Sequence, residues 1–200
     1  MEFEQDATAP RGLLFFHAKE GRPLATPWQV AALRAQAVAE HDLPEGVVLD
    51  CACGSGIQLA AYAATLQRPV LGVELDEERA RASAVNLRTV AEHARDGEAA
   101  WFVESRVLAG DGTAADGVVN AVNDENIRVA FLHLDPARPR NSRTHALEEM
   151  QPPLDKVLEA WAPHFSSSTR GPAVLLDLSP RLTGVQRSEV EEIVVREGTK

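Results

Sequence analysis

The chain has 200 residues, of which 44% are hydrophobic and 25% are charged, and this composition excludes a disordered or collagen-like chain. Thirty acidic residues outnumber twenty basic ones, and the net charge of −10 disfavours non-specific binding to a nucleic-acid backbone. No apolar run reaches about 18 residues, and the first residues contain no apolar signal segment, so neither a membrane span nor secretion is expected.

The N-terminal part of the chain is predicted to form a helical cap. Thr26 can cap a helix and Pro27 can occupy its first position without losing a hydrogen bond, so a helix should begin here and run to about residue 40. Apolar residues recur at helical spacing along one face: Val30, Leu33 and Ala37. At roughly 100–200 residues per domain the chain is one compact unit, which we divide into a cap (residues 1–42) and a core (residues 43–200).

Beyond the cap, segments with the pattern of strands alternate with segments with the pattern of helices. Five strands are predicted, over residues 47–49, 69–73, 107–109, 127–134 and 173–178. Helices are predicted from Ile57 to Leu66, after the cap Asp76 with a stripe of Ala80, Ala84, Leu87 and Ala91, and around Leu154, Val157, Leu158 and Trp161. Residues 110–126 are predicted to be a loop, and residues 189–196 are the candidate for a sixth strand. The alternation predicts an α/β fold with a doubly wound, mostly parallel sheet, in which residues 173–178 form a central strand.

A glycine turn follows the first of these strands. Asp50 ends the strand, and Gly54 and Gly56 precede the helix that starts at Ile57. Glycine lets the backbone approach a ligand closely, and a helix N-terminus offers free N–H groups to a carboxylate or phosphate. Leu59 occupies the third small position of a dinucleotide-binding fingerprint, so the pattern argues against NAD.

An acidic residue ends the second predicted strand at the spacing expected for ribose binding. Glu74 follows Gly54 by about 20 residues, and a carboxylate there can accept hydrogen bonds from both ribose hydroxyls. Together with the glycine turn it resembles the class I S-adenosylmethionine-dependent methyltransferases. The resemblance implies S-adenosylmethionine as the cofactor, with the glycine turn around its methionine part, Glu74 on its ribose and Asp111 on its adenine. The implied cofactor-binding residues are Thr26, Asp50, Cys51, Gly54, Gly56, Glu74 and Asp111.

The fourth predicted strand ends in Asp135-Pro136-Ala137-Arg138, which resembles the motif of methyltransferases that modify amino groups of nucleobases. In that motif the acid accepts a hydrogen bond from the target amine and a prolyl carbonyl accepts another, which aims the nitrogen lone pair at the methyl group. The resemblance implies Asp135, Pro136 and Arg138 as catalytic residues. Ala137 and Arg138 replace the second proline and the aromatic residue of the motif, and Arg138 can instead stack on a base or pair with a phosphate.

The two cysteines, Cys51 and Cys53, both lie in the glycine turn. Asp-Pro-Ala-Arg also occurs in RNA 5-methyluridine methyltransferases, which attack the pyrimidine with a cysteine. After the fifth strand this chain has Leu178-Ser179-Pro180 without a thiol, so covalent methylation of carbon is not expected. No second cysteine pair completes a metal site, so we expect no metal and reduced thiols, as in the cytoplasm. Histidines without metal spacing are interpreted as structural or surface residues: His17, His133, His145 and His164.

Over nearly its whole length the chain resembles the methyltransferase part of the THUMP-like-domain methyltransferases. Besides the glycine turn and Asp135–Arg138, the matching pieces are Leu14-Phe15-Phe16, Lys19-Glu20-Gly21, Ala25-Thr26-Pro27, Pro152-Pro153-Leu154 and Leu178-Ser179-Pro180. The resemblance implies that a THUMP-like domain that helps to hold RNA should follow, and that a full sheet has seven strands. The C-terminal strands are therefore expected to be incomplete, and the unpaired edge strand could support a homodimer.

The expected function is transfer of a methyl group to a base nitrogen of RNA. Arg138, Arg140 and Arg143 form a basic loop beside the presumed site and could bind RNA phosphate. Two alternatives stay open. The first is methylation of a small molecule or a protein, which the net charge of −10 favours. The second is a non-catalytic cofactor-binding module that needs a partner.

Overall fold

The computed structural model describes residues 2–4, 9–18, 25–94, 99–138, 146–166, 173–178 and 181–198. Its strands are β1 (Glu2–Glu4), β2 (Phe15–His17), β3 (Val47–Asp50), β4 (Val70–Glu74), β5 (Arg106–Ala109), β6 (Val129–Leu134) and β7 (Ala173–Leu176). Its α-helices are α1 (Trp28–Ala39), α2 (Ile57–Leu66), α3 (Glu77–Glu92), α4 (Ala100–Glu104), α5 (Ala115–Val122), α6 (Leu154–Trp161) and α7 (Gly184–Gly198).

Five of the strands form one parallel sheet in the order β5-β4-β3-β6-β7, and β1 and β2 form a separate antiparallel pair. β3 lies at the centre of the large sheet, where Asp50 pairs with Gly72 of β4 and with His133 of β6. β4 and β6 are buried along their whole length, as expected for parallel strands covered on both faces. The predicted α/β fold with a doubly wound, mostly parallel sheet is confirmed.

Two hydrophobic clusters pack against opposite faces of this sheet, because successive strand residues point to opposite sides. Val48 and Phe131 belong to the cluster that contains α1, α2 and α3. Leu49 and Leu132 belong to the cluster that contains α5, α6 and α7. The predicted apolar face of α6 is confirmed, since all four of its residues are buried: Leu154, Val157, Leu158 and Trp161. The sheet is therefore held rigidly, and its carboxyl edge is a fixed platform.

Two helices begin at this carboxyl edge for reasons that the sequence makes plain. α2 begins after Gly56, whose φ of 74° lies in the left-handed region that glycine tolerates best. α3 begins after Asp76, whose side chain accepts a hydrogen bond from the Arg79 N–H at 2.9 Å, as the sequence predicts. The N-termini of both helices follow directly on β3 and β4 and lie beside the ends of these strands.

The predicted buried face of α1 is wrong. Val30 and Leu33 are 40% and 66% exposed. The buried residues of α1 are Ala31, Ala35 and Val38. α1 packs against α2, and small side chains let the two helices approach closely, so that Gln58 Nε2 donates a hydrogen bond to the Ala31 carbonyl at 3.1 Å. Val30 and Leu33 face outwards because the side of α1 that carries the small residues Ala31 and Ala35 packs against α2. On α3, Ala84 of the predicted stripe is likewise exposed.

Three further predictions are corrected in the second half of the chain. Residues 189–196 belong to α7 and not to a strand, because Val190, Ile193 and Val194 recur at helical spacing and pack on the second cluster. Residues 110–126 are not all loop, because α5 lies within them and buries one apolar face. β7 is an edge strand of half-buried residues and not a central one.

The segment before β3 contains the β1–β2 pair and α1, which packs against α2. The division into a cap (1–42) and a core (43–200) stays a prediction. None of the helices among the described residues combines the length and the apolar character that crossing a membrane requires.

Candidate active site

A cavity of about 580 Å³ opens at the carboxyl edge of the sheet. All predicted site residues except Gly56 line it: Thr26, Asp50, Cys51, Gly54, Glu74, Asp111, Asp135, Pro136 and Arg138. The volume lies within the roughly 300–1,000 Å³ of pockets that bind small molecules and cofactors. Residues far apart in the sequence therefore meet where the topology of an open α/β sheet predicts a ligand site.

The two glycines of the turn serve different purposes. Gly54 has a φ of 55°, and a side chain added there would meet nothing within 4 Å. At Gly56 an added Cβ would lie 2.1 Å from Ser83 Oγ of α3, so this glycine is required for close packing as well as for its φ. Gly56 therefore allows the turn to pack against α3 and does not line the cavity.

Thr26 lines the cavity and does not cap α1. Pro27 holds the N-cap position, and no side chain caps the helix.

Asn86, which the sequence analysis did not single out, connects the glycine turn to β2 through its side chain. Its Nδ2 donates to the carbonyls of Ser55 and Phe16 at 2.8 Å each, and its Oδ1 accepts from the Phe16 N–H at 2.7 Å. Asn86 thereby ties the glycine turn to β2.

Glu74 is fixed at the end of β4 by main-chain donors. It is 5% exposed, its Oε2 accepts from the Gly54 N–H at 2.9 Å, and its Oε1 accepts from the Asp76 N–H at 3.0 Å. Arg79 Nε lies 3.7 Å from Oε1. The carboxylate is therefore oriented and in contact with the cavity, as a ribose-binding residue would need to be.

Asp111 lies in the loop after β5, on the side of the cavity where the resemblance implies adenine. Its Oδ1 accepts from the Thr113 N–H at 2.8 Å and from the Thr113 hydroxyl at 2.7 Å. These bonds form a tight turn that holds the exposed carboxylate in one direction. The next residue, Gly112, packs closely against the Cys51 backbone. A Cβ added to Gly112 would lie 2.4 Å from the Cys51 carbonyl oxygen.

The sequence analysis missed a chain of charged side chains, two of which, Asp50 and His133, line the cavity. His133 Nδ1 is 2.8 Å from Asp50 Oδ2, and His133 Nε2 is 3.3 Å from Asp177 Oδ2. Asp177 Oδ2 is in turn 2.7 Å from Arg34 Nη1. We call these four side chains the ion chain. Asp50 also accepts from the Ala52 N–H through Oδ1, so both of its oxygens are engaged within the protein.

His133, which the sequence analysis interprets as a structural or surface residue, is buried within the ion chain. Burial alone would lower its pKa, but Asp50 and Asp177 outweigh burial and raise the pKa to about 9. The ring is therefore an imidazolium at neutral pH. One signal for it was present in the sequence, because His133 lies at the end of the fourth predicted strand, two residues before Asp135. Arg34, 143 residues before Asp177, carried no such signal.

The Asp135–Arg138 loop is fixed by two main-chain bonds. The Ala137 N–H donates to the Gln151 carbonyl and the Gln151 N–H donates to the Ala137 carbonyl, each at 2.9 Å. Asp135 is exposed to the cavity, and its pKa is raised by partial burial first and then by Asp177. Arg138 Nε and Nη2 are buried and have no hydrogen-bond partner within the described part of the chain. Leaving a guanidinium unpaired is costly, so these atoms mark a place for an anionic or acceptor-rich ligand group.

The two cysteines are free and buried. Burial, and then the neighbouring carboxylate of Asp50, raise the pKa of both thiols well above the ordinary value. Both groups are neutral thiols at physiological pH, which is the opposite of an activated nucleophile. Among the described residues, no group of His, Cys, Asp and Glu could hold a metal ion.

Several predicted pieces lie outside the described residues. They are Arg140 and Arg143 of the basic loop, Lys19-Glu20-Gly21, and Ser179-Pro180.

No protein-family model matches the chain, and no curated protein matches it. Solved structures do resemble it. A protein from Agrobacterium tumefaciens, described as an S-adenosylmethionine-dependent methyltransferase, superposes with a TM-score of 0.57 at 16% identity, over 94% of this chain and 56% of that one. A candidate RNA methyltransferase from Pyrococcus horikoshii superposes with a TM-score of 0.54 at 17% identity, over 86% of this chain and 69% of that one.

A third similar structure is a candidate methyltransferase from Porphyromonas gingivalis W83, with a TM-score of 0.53 and 20% identity over 82% of this chain. The matched part spans about a third of that protein, 34% of its length. At these identities the likeness establishes the fold. The α/β sheet with its cavity at the carboxyl edge is the Rossmann-like fold of S-adenosylmethionine-dependent methyltransferases.

Proposed function

We propose that the protein transfers a methyl group from S-adenosylmethionine to a base nitrogen of RNA. The observation that carries the proposal is that Glu74 at the end of β4 and the pair Asp135-Pro136 after β6 face one cavity from the two sides of the central strand β3. The first is suited to a ribose, and the second is suited to a nitrogen that carries hydrogen. A methyl donor and its acceptor must meet in one site because transfer depends on close alignment.

The residues of the β4 end of the cavity fit S-adenosylmethionine. Glu74 is a buried acceptor for two ribose hydroxyls, and Gly54 leaves its backbone open to the cavity. Asp111 and Thr26 lie on the rim, where they would contact the adenine and the remainder of the cofactor. Asp50 and Cys51 line the same end, and Asp50 holds the glycine turn there through its hydrogen bond from the Ala52 N–H.

When bound, S-adenosylmethionine supplies a methyl group on a positively charged sulfur, and an acceptor nitrogen takes this group with its lone pair while the carbon–sulfur bond breaks. Asp135 accepts a hydrogen bond from the acceptor N–H and holds the proton that the nitrogen then loses. The Pro136 carbonyl accepts a second hydrogen bond. His133 is a poor base for this proton, because both of its ring nitrogens are engaged by carboxylates. A single charged group of this kind is typically worth about a hundredfold to a thousandfold in rate.

RNA as the acceptor is supported by the Asp-Pro-Ala-Arg sequence and by Arg138. The unpaired, buried nitrogens of Arg138 suit a phosphate or the acceptor edge of a base. One of the solved structures with the same fold, from Pyrococcus horikoshii, is described as a candidate RNA methyltransferase. Arg140 and Arg143 would extend the contact along the phosphate backbone.

A second candidate function is methylation of a small molecule or a protein. The net charge of −10 favours it, because an acidic protein repels a polyanion at long range. In that case Arg138 would hold a carboxylate or phosphate on the smaller acceptor.

Transfer of tritiated methyl groups from S-adenosylmethionine tests the proposal. The full chain is incubated with fractionated RNA, a protein extract and a metabolite extract, and labelled RNA is digested to nucleosides for mass spectrometry. We expect a nucleoside methylated on a base nitrogen. Label on a ribose or a base carbon would contradict the role of Asp135, and label in protein or metabolites alone would support the second candidate. Cofactor binding without any transfer would indicate a non-catalytic module.

A further inference from the structure

The loop that carries Asp111 follows an edge strand and is held by contacts from other elements. β5 lies at one edge of the large sheet, and its residues are exposed or half-buried. The loop after it therefore has a neighbouring strand on one side only. A first anchor is the Gly110 N–H, which donates to the Glu74 carbonyl at the end of β4 at 2.9 Å. This bond fixes the main chain one residue before Asp111.

A second anchor lies one residue after Asp111, where two other elements hold Gly112. The glycine packs on the main chain of Cys51 in the glycine turn so closely that no side chain would fit. Its carbonyl accepts a hydrogen bond from Trp161 Nε1 of α6 at 2.9 Å. Trp161 is 0% exposed, and a buried indole N–H needs an acceptor of this kind. The main chain is therefore fixed on both sides of Asp111.

These anchors leave Asp111 with one oxygen for a ligand. Its Oδ1 accepts from the N–H and the hydroxyl of Thr113 at 2.8 and 2.7 Å. Its Oδ2 has no hydrogen-bond partner within the described part of the chain, although the side chain is exposed and lines the cavity. A carboxylate whose main chain and first oxygen are already fixed loses little freedom when the second oxygen binds a ligand.

We propose that Trp161 is a positioning residue for recognition of the adenine amino group: it holds the Gly112 carbonyl and thereby aims Asp111 Oδ2 at the base. The inference rests on the proposed function, in which Asp111 contacts the adenine of S-adenosylmethionine. Trp161 is not among the residues that line the cavity, so it acts through the loop. The amino group of adenine donates hydrogen bonds, whereas an oxygen in its place only accepts them. A carboxylate held in position binds the first and repels the second, so the anchored loop selects adenine.

The ratio of two dissociation constants tests this role. S-adenosylhomocysteine and S-inosylhomocysteine differ in their base, where the amino group of adenine is replaced by the oxygen of hypoxanthine. Titration calorimetry of the full chain should show that the adenine compound binds about 10- to 150-fold more tightly, as expected for a hydrogen bond to a charged group. Asp111→Asn should remove most of this preference. Trp161→Phe keeps an aromatic ring but loses the N–H, and it should lower the ratio about two- to twelvefold.

Trp101 offers a matched control on the opposite face of the sheet. It is 3% exposed, it belongs to the cluster that contains α1, α2 and α3, and its Nε1 has no hydrogen-bond partner among the described residues. Trp101→Phe makes the same change in a buried ring and should leave the ratio as it is in the wild type. The double variant Trp161→Phe/Asp111→Asn should have the ratio of Asp111→Asn alone. A wild-type ratio in Trp161→Phe, an equal fall in Trp101→Phe, or a further fall in the double variant would overturn the proposal.

Hydrogen exchange of the ligand-free chain, measured by NMR, separates this inference from the proposed function. The Thr113 N–H, which is bound to Asp111, should exchange faster in Trp161→Phe than in the wild type and in Trp101→Phe. Faster exchange in a protein that binds neither homocysteine compound would overturn the proposed function, and with it the selection of adenine. Methyl transfer with an unchanged ratio would overturn the role of Trp161 alone. If Trp161→Phe does not fold, a tryptophan analogue with sulfur in place of the N–H keeps the ring size and provides the same test.

Discussion

The cavity has two sides whose polar groups are held in different ways. On the β4 side, Glu74 accepts hydrogen bonds from the N–H groups of Gly54 and Asp76, and Asp111 accepts from Thr113. The donors of Asp76 and Thr113 lie two residues after the carboxylates they bind, and the Gly54 N–H comes from the glycine turn of the adjacent strand β3. On the β6 side, Asp135 is exposed to the cavity, and Arg138 has two buried nitrogens without a partner among the described residues.

The difference indicates which side is complete before a ligand binds. On the β4 side the main chain already fixes each carboxylate, so a ligand finds a preorganised surface and loses little energy in ordering it. On the β6 side the hydrogen-bonding capacity is unfilled, and a ligand that fills it gains the energy of groups that were costly to leave unpaired. Under the proposed function the first side holds the cofactor, and the second side selects the acceptor.

The largest expected effect separates the two sides. Asp135→Ala should reduce single-turnover methyl transfer by about a hundredfold to a thousandfold, because the group that meets the acceptor in the transition state is lost. Affinity for S-adenosylmethionine, measured by calorimetry, should stay nearly unchanged, because the β4 side is intact. Glu125→Ala, which removes an exposed carboxylate outside the cavity, is the matched control. If rate and affinity fall together in Asp135→Ala, the residue belongs to cofactor binding or folding, and the comparison of the two sides fails.

The next effect concerns the ion chain that joins the two sides. The pKa of His133 is raised from 6.5 to about 9, so the folded protein holds a proton that the unfolded chain releases more readily. The resulting stability is complete below about pH 6.5 and is lost as the pH rises through about 9. The shift corresponds to about 3 kcal/mol of unfolding free energy.

Urea unfolding of the wild type between pH 6 and 8, below the range in which the two thiols ionise in the unfolded chain, should show the greater part of this loss, and His133→Gln should remove most of the pH dependence there. His41→Gln, at an exposed histidine, should leave the dependence as it is in the wild type. Parallel curves for the wild type and His133→Gln would mean that the ring carries no extra proton in the folded state.

A smaller effect is expected on the β4 side. Glu74→Gln keeps an oxygen that can accept from Gly54, but it loses the charged acceptor for the ribose hydroxyls. Affinity for S-adenosylmethionine should fall by about 1.5–3 kcal/mol, or roughly 10- to 150-fold. Titration calorimetry measures the loss directly, with Asp135→Ala as the control from the other side. Equal affinities for the wild type and Glu74→Gln would remove Glu74 from the cofactor site.

The sequence placed residues of both sides at the cavity but did not predict the ion chain, and the reason is the range of the interactions. The Asp76 cap and the bond from the Asp76 N–H to Glu74 are local patterns in which one short segment contains both donor and acceptor, and the glycine turn and Glu74 are joined over only 20 residues. The ion chain joins residues 34, 50, 133 and 177, and only the folded sheet brings them together. Apolar residues recur at helical spacing in α5 and α7, but both segments also contain residues typical of loops and strands. Glycine and asparagine indicated a loop for the first, and β-branched residues indicated a strand for the second. The buried face of α1 depended on how closely α2 approaches, which no local pattern contains.

The smallest effect is expected at the cysteines. It tests whether the group that reacts with the acceptor lies on the β6 side or is a cysteine of the glycine turn. Cys51 and Cys53 lie at the β3 end of the cavity, and a covalent mechanism would make one of them the nucleophile. A nucleophilic cysteine needs a stabilised thiolate, but burial and the neighbouring Asp50 raise the pKa of both thiols. The double variant Cys51→Ala/Cys53→Ala should therefore bind S-adenosylmethionine and transfer methyl groups at the wild-type rate, with a loss of about 1 kcal/mol of stability per substitution. The same single-turnover assay that detects the loss in Asp135→Ala measures the rate. A double variant that binds the cofactor but accumulates no product would move the reacting group from Asp135 to the glycine turn.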